Sequence, residues 1–318
     1  MLRTGLALRR LGPQSCFACV LFSLSFSSTS ATPAAANTLI SGAEAIKLMK
    51  QPSTRCLDCS FYLSDPTNKA ATDFSLERIP NSARFDIDSV KDESSSMPHM
   101  LPSSAVFSEK VERMGISNDN LVVLYTRFNS FSAPRVWWMF KAFGHDNVRI
   151  INGGYEEWKR AGGEIERGDP VPPSRGRFVC ELRPGYVMTL EDMKALVAEG
   201  GDTQIVDTRP AARFKGLEPE PRAGLGRGHM PGARNAPFAT FLDAKDWSKL
   251  LPAEEVKASL TSAGIDLSKP AVASCGSGVT ACHVALYAHI AGLPTVPIYD
   301  GSWAEYGSVE SLPKVTSE

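Results

Sequence analysis

Residues 270–290 read PAVASCGSGVTACHVALYAHI. A short apolar strand, Ala271 to Ala273, passes through Ser274 and Cys275 into a loop of small residues, and an alanine-rich helix starts near Ala281. Strand, turn and helix in that order make an α/β unit with a cysteine at its turn. Gly276 and Gly278 let the backbone curl without a Cβ penalty, so successive N–H groups can converge on whatever the sulfur carries. The helix after the loop points its positive end the same way. Both effects favour a thiolate and an anion bound above it, which a sulfur nucleophile requires. The ordinary alternative is a buried cysteine ending a core strand; the glycines and the helix start argue against it.

Two chemistries use such a loop. A cysteine phosphatase closes it with an arginine to grip phosphate, and the Cys-x5-Arg spacing would put that arginine where the chain has Ala281. Sulfur transfer needs no such cation, because the thiolate attacks a sulfur atom and keeps it as a persulfide held by loop amides.

Working outward from the loop, the chain repeats itself. LPAEEVKASLTSAGIDLSKPAVAS from Leu251 has an earlier counterpart in LPSSAVFSEKVERMGISNDNLVVLY from Leu101, and IAGLPTVPIYDGSWAEY from Ile290 has one in AFGHDNVRIINGGYEEW from Ala142. Leu101 pairs with Leu251, Gly115 with Gly264 and Gly144 with Gly292, so the register drifts by very little across a half. ERIPNSARFDI from Glu77 likewise matches GHMPGARNAPF from Gly228. Two homologous α/β domains follow, each a parallel sheet flanked by helices. We expect the first over 38–166, a Pro-, Gly- and Arg-rich linker over 167–183, the second over 184–308, and a flexible tail over 309–318. Opposite Ser274 and Cys275 the first half has Tyr125 and Thr126, followed by Arg127, Phe128 and Asn129. One domain keeps the nucleophile; the other is expected to form a wall of a cleft between them.

The chain has 318 residues, 43% of them hydrophobic, enough for two domains, and no run long enough to span a membrane. Its formal net charge of −1 argues against a general affinity for nucleic acid. Cys16, Cys19, Cys56, Cys59, Cys180, Cys275 and Cys282 are irregularly spaced and do not form a disulfide framework. Cys56 and Cys59 make a C-x-x-C in a strand-like run without a second pair, and read as core or edge residues. Nothing calls for a metal or a cofactor. Residues 1–37 read as a targeting presequence: Arg3, Arg9 and Arg10 lie among leucines, and no acidic residue precedes Glu44. A mitochondrial destination is expected, with a cytoplasmic pool also compatible. The apolar run CFACVLFSLSF from Cys16 keeps the secretory pathway as the alternative.

The loop CGSGVTACHVAL, the run SAPRVWWMFKAFGH from Ser132, FDID at Phe85 to Asp88 with HMLP from His99, and YDGSW from Tyr299 together resemble the tandem rhodanese-fold sulfurtransferases. The resemblance covers about Thr38 to Tyr306. In thiosulfate-using members basic side chains follow the cysteine directly, whereas here Gly276 and Ser277 follow it, the pattern of the branch that uses 3-mercaptopyruvate. The resemblance implies that Cys275 becomes a persulfide and passes its sulfur to thioredoxin, a small thiol or cyanide. Hydrogen sulfide would come from reductive release, in cysteine catabolism. A thiosulfate:cyanide sulfurtransferase and a non-catalytic sulfur carrier are the alternatives.

The resemblance also carries over site residues. Arg213, in DTRPAARFKG, and Arg222, in EPEPR, match the arginines that grip the substrate, and a guanidinium fork suits a carboxylate beside a keto oxygen. Gly276, Gly278, Val279 and Thr280 would line the sulfur cradle. Ser277, His99 and Asp88 would form a relay that protonates the pyruvate enolate left behind. Asp207 and Asp300 are expected to cap or pair locally, His229 to occupy a turn, and the inactive loop and Ser60-Phe61 to lie away from the cleft.

Overall fold

In the computed structural model, Met1, residues 37–62, Thr67 and residues 69–317 are described. Two units divide the chain: Met1–Ser30, of which only Met1 is described, and Ala31–Glu318, which holds every element named below. The expected presequence therefore falls almost wholly outside the described residues.

The two halves build the same sheet twice. In the first, β1 (Leu39–Ile40), β2 (Thr54–Asp58), β3 (Ser82–Arg84), β4 (Leu121–Tyr125) and β5 (Val148–Ile151) lie in the order β1-β5-β4-β2-β3. In the second, β6 (Val187–Met188), β7 (Gln204–Asp207), β8 (Ala233–Asn235), β11 (Ala271–Ser274) and β12 (Ile298–Tyr299) lie in the order β6-β12-β11-β7-β8, with a hairpin of β9 (Leu242–Asp243) and β10 (Asp246–Leu250) inserted. Every pairing within the two sheets is parallel. Central β4, LVVLY, is buried at all five positions, the continuous apolar run of a strand covered on both faces. The repeat extends to helix starts. Ser41 with Glu44 closes a capping box on α1 (Gly42–Met49), and Thr189 with Asp192 closes one on α6 (Leu190–Glu199).

What joins the halves is a pair of equivalent helices. α4 (Ala133–Ala142) follows β4, α9 (Cys282–Ile290) follows β11, and the two pack on each other. α4 is buried at every position, Arg135 and Lys141 included, as a helix enclosed between two sheets must be. A single apolar core runs from Leu57, Phe85 and Trp138 of the first half to Cys275, Leu286 and Ile298 of the second. Polar contacts add direction: Asn152 exchanges hydrogen bonds of 3.1 and 2.7 Å with the backbone of Leu250, and His283 Nε2 lies 2.9 Å from the Ser130 carbonyl.

Cys56 and Cys59 are buried in the first half's core, as their strand-like setting implied. Neither connection is loose. No helix or strand lies between Arg160 and β6, yet Phe178 is buried, Gly176 donates to the Glu112 carbonyl, and Arg175 and Arg183 pair with Glu112 and Asp146. The tail, expected to be flexible, is docked: Val315 and His229 exchange backbone hydrogen bonds of 2.9 Å in an antiparallel bridge, and Leu312 packs on the core around Trp303. Its polar composition hid this, because the bonds that hold it are made by backbone. Among the described residues no helix is long and apolar enough to cross a membrane.

Candidate active site

Cys275 directly follows β11, so the nucleophile stands at the carboxyl end of a central parallel strand, where open α/β sheets place their ligands. A cavity of about 550 Å³ lies at the opposite end. It is lined by Gly201, Gln204, Gly232, Arg234, Asp266 and Lys269, and contains no nucleophile. Chemistry, not volume, therefore locates the site.

The loop after Cys275 is held from outside. Ser302 Oγ accepts from the amides of Cys275 (3.1 Å) and Gly278 (3.0 Å) and donates to the Tyr299 carbonyl at 2.8 Å. The amides of Trp303 and Ala304, in α10 (Ser302–Tyr306), donate to the carbonyls of Cys275 and Gly276, both at 2.9 Å. The amides of Gly276, Ser277, Val279 and Thr280 have no acceptor among the described residues, which leaves them for an anion on the sulfur. Of the two glycines, only Gly278 needs to be one: its φ is +74°, and a Cβ there would meet Asp300 Oδ1 at 2.9 Å. Gly276 has open space where its Cβ would lie. The Thr280 hydroxyl is 2.9 Å from that of Thr208, and Val279 is buried, so these two offer the site their backbone.

The first half supplies the facing wall. His99 is 6% exposed and sits in the left-handed region at φ +59°, uncommon for a residue with a side chain. Its Nδ1 is 3.1 Å from Asp88 Oδ1, a close polar contact off the line of an aligned hydrogen bond. His99 is the chief cause holding the Asp88 carboxyl below its usual range; burial opposes it, and Lys91 and Arg222 assist. Arg222 is therefore within electrostatic reach of Asp88, and it has no salt bridge of its own among the described residues. Arg213 lies on α7 (Ala211–Phe214), 27% exposed, with Glu220 at 3.8 Å as its charged neighbour; among the described residues no ion pair or hydrogen bond joins it to His99 or the loop.

Several residues at the site lay beyond sequence reasoning. Arg135, 1% exposed, donates to Asp300 Oδ1 (2.6 Å), to the His99 carbonyl (2.6 Å) and to the Gly278 carbonyl (3.2 Å). Asp300 Oδ2 in turn accepts from the Leu101 amide at 2.6 Å. Asp300 was expected to pair locally; instead it pins both halves to the loop, because docking of the halves brings in a partner far away in sequence. Burial works against the charge on Arg135, and Asp300 and Cys282 together more than offset it. Phe61 is also nearer than expected: its ring stands edge-on to His99 at 5.5 Å and stacks on Phe131 of the inactive loop at 6.1 Å, so both line the cleft. SAPRVWW and YDGSW were visible in the sequence, but no local pattern assigns Arg135 or Ser302 a partner.

The inactive loop shows what was lost. Buried Asp207 is paired by Arg209, two residues on, whereas its counterpart Asp58 is paired by Arg127 from the loop itself, at 3.3 Å. The first half has filled its nucleophile turn with a structural cation.

Two tandem α/β domains, one with a cysteine cradle and one without, define a class, and comparison with known proteins agrees. The rhodanese-like domain model matches residues 41–161 and 189–308, and the chain belongs to that family. It is 41% identical over 282 residues to the 3-mercaptopyruvate sulfurtransferase of Homo sapiens, covering 87% of this chain and 94% of that one. It is also 41% identical over 254 residues to the thiosulfate sulfurtransferase of Gallus gallus, covering 79% and 86%. The crystal structure of SseA from Escherichia coli, described as a 3-mercaptopyruvate sulfotransferase, superimposes with a TM-score of 0.75 at 32% identity, covering 85% of this chain and all of that one.

Proposed function

We propose that this rhodanese-fold sulfurtransferase takes its sulfur from 3-mercaptopyruvate. The Cys275 thiolate attacks the substrate sulfur, an S–S bond forms as the C–S bond breaks, and the electron pair stays on carbon as an enolate that takes up a proton to give pyruvate. A thiolate of thioredoxin or of a small thiol, or else cyanide, then attacks the outer sulfur, takes it, and restores the Cys275 thiolate. Ser277, His99 and Asp88 serve the proton, and Arg213 and Arg222 the carboxylate and keto group. The chain acts in mitochondria, in keeping with the acid-free, arginine-bearing start of the sequence.

Overall identity does not separate the two substrates, since relatives named for each match equally well. The carrying observation is Gly276, which has open space around it and no side chain. A doubly charged thiosulfate calls for cations beside the sulfur, and the loop has room for one yet carries none. Turnover on the two donors is the test: a preference for mercaptopyruvate supports the reading, and a preference for thiosulfate overturns it. Gly276→Arg with Ser277→Lys is expected to shift the ratio toward thiosulfate by roughly tenfold or more, through positive charge at the sulfur end. An unchanged ratio would mean the loop does not set the preference.

Arg213→Ala and Arg222→Ala, made separately, should each lower kcat/KM for mercaptopyruvate about ten- to a hundredfold, the loss of a charge-assisted hydrogen bond. Neither arginine has a tight partner, so thermal midpoints should barely move. Alkylation of Cys275 by an uncharged reagent should continue at the wild-type rate. Wild-type efficiency in both variants would show that the substrate is held elsewhere.

A further inference from the structure

The two halves differ at one position that faces the nucleophile turn. Gly154 and Ser302 are equivalents: each opens the short helix after the edge-side strand, in INGGYEEW and YDGSWAEY, and each has a left-handed backbone, φ +54° and +51°. The amide after each donates to the residue at the nucleophile position, Tyr155 to the Thr126 carbonyl at 2.8 Å and Trp303 to that of Cys275 at 2.9 Å. In the inactive half the loop has settled onto the glycine, so that a Cβ at Gly154 would lie 2.1 Å from the Thr126 oxygen. In the active half the same place holds a serine. A side chain in this backbone region is strained where glycine is not, and such strain persists where something requires it.

We propose that Ser302 is the positioning residue of the persulfide cradle, acting through the Cys275 loop and resting on the sulfurtransferase reading above. One hydroxyl has one proton to give and two lone pairs to receive. Ser302 uses all three, on the Tyr299 carbonyl and on the amides of Cys275 and Gly278. It ties down the first and fourth residues of the loop on a single oxygen, beside the two loop carbonyls that the α10 amides hold. The amides of Gly276, Ser277, Val279 and Thr280 are thereby left open to the transferred sulfur. A glycine at 302 would let the loop collapse as it has in the first half, and an alanine would keep the strain without the hydrogen bonds.

The two variants separate position from stability. Ser302→Gly is expected to have a higher thermal midpoint than Ser302→Ala, because it relieves the left-handed strain. Both are expected to lose about 10²-fold in kcat, with KM for mercaptopyruvate within about threefold of wild type. Mass spectrometry after substrate without acceptor should find the Cys275 persulfide in wild type and far less in either variant. Activity that returns in Ser302→Gly along with its stability would reduce Ser302 to a structural residue and overturn the proposal, as would wild-type kcat in both. Failure of wild type itself to form a persulfide from mercaptopyruvate would overturn the functional reading instead, so the two failures are distinct.

Discussion

Replacing Cys275 by serine is expected to abolish sulfur transfer and leave the protein folded. Serine fits the same turn, and the loop is held by Ser302 Oγ and the amides of Trp303 and Ala304, none of which bonds the thiol. A hydroxyl is not ionised near neutral pH and is a poor nucleophile toward sulfur, so turnover should fall roughly 10⁴-fold or more. The thermal midpoint should move by no more than about 4 °C, the shift that about 1 kcal/mol produces in a chain of this size. No other described thiol is suited to take over. Burial pushes those of Cys56, Cys59 and Cys282 well up from their ordinary value, and that of Cys180 up as well. Turnover on mercaptopyruvate and intact mass after substrate without acceptor check both parts. Activity near wild type, or a persulfide on another cysteine, would move the nucleophile.

Much of this was legible in the chain because its signals are local. Strand β11, the small-residue loop and the start of α9 are decided by neighbouring residues, and duplication repeats each signal, so two parallel sheets flanked by helices followed from pattern alone. His99 and Asp88 were legible only through resemblance: SMPHMLP has no periodicity, and the backbone of its left-handed histidine is held by Arg135, from a helix well along the chain. Asp300 reads as pairing locally and Phe61 as lying away from the cleft, and Arg135 and Ser302 carry no readable role, for one physical reason. Each meets its partners only in the folded chain: Arg135 and Asp300 when the halves dock, Ser302 and Phe61 through loops of their own half that are distant in sequence. The tail failed differently. VESLPKVTSE lacks an apolar pattern because Val315 is held by its N–H and C=O, which every sequence offers equally.

The cation that docking creates leads to the second large effect. Arg135→Met should cost about 3–5 kcal/mol of stability, because it leaves the buried Asp300 carboxylate with the Leu101 amide and no cation. A fall of roughly 6–20 °C in thermal midpoint follows. It also frees the His99 carbonyl from the Gly278 side of the cleft, so the left-handed histidine loses the contact that sets it against the loop. Catalysis should suffer by about 10²-fold, as misplacement by about an ångström does. Adding Asp300→Asn separates the two losses. The amide keeps an oxygen for Leu101 but carries no charge, so the double variant should be more stable than Arg135→Met alone, a coupling that a double-mutant cycle reads directly. Activity should stay low in the double variant, because the tether from Arg135 to His99 is still missing. Were Arg135→Met to stay within about 1 kcal/mol of wild type and turn over normally, the two halves would not be joined through this cation. Recovery of activity along with stability in the double variant would instead make Arg135 a partner for Asp300 and nothing more.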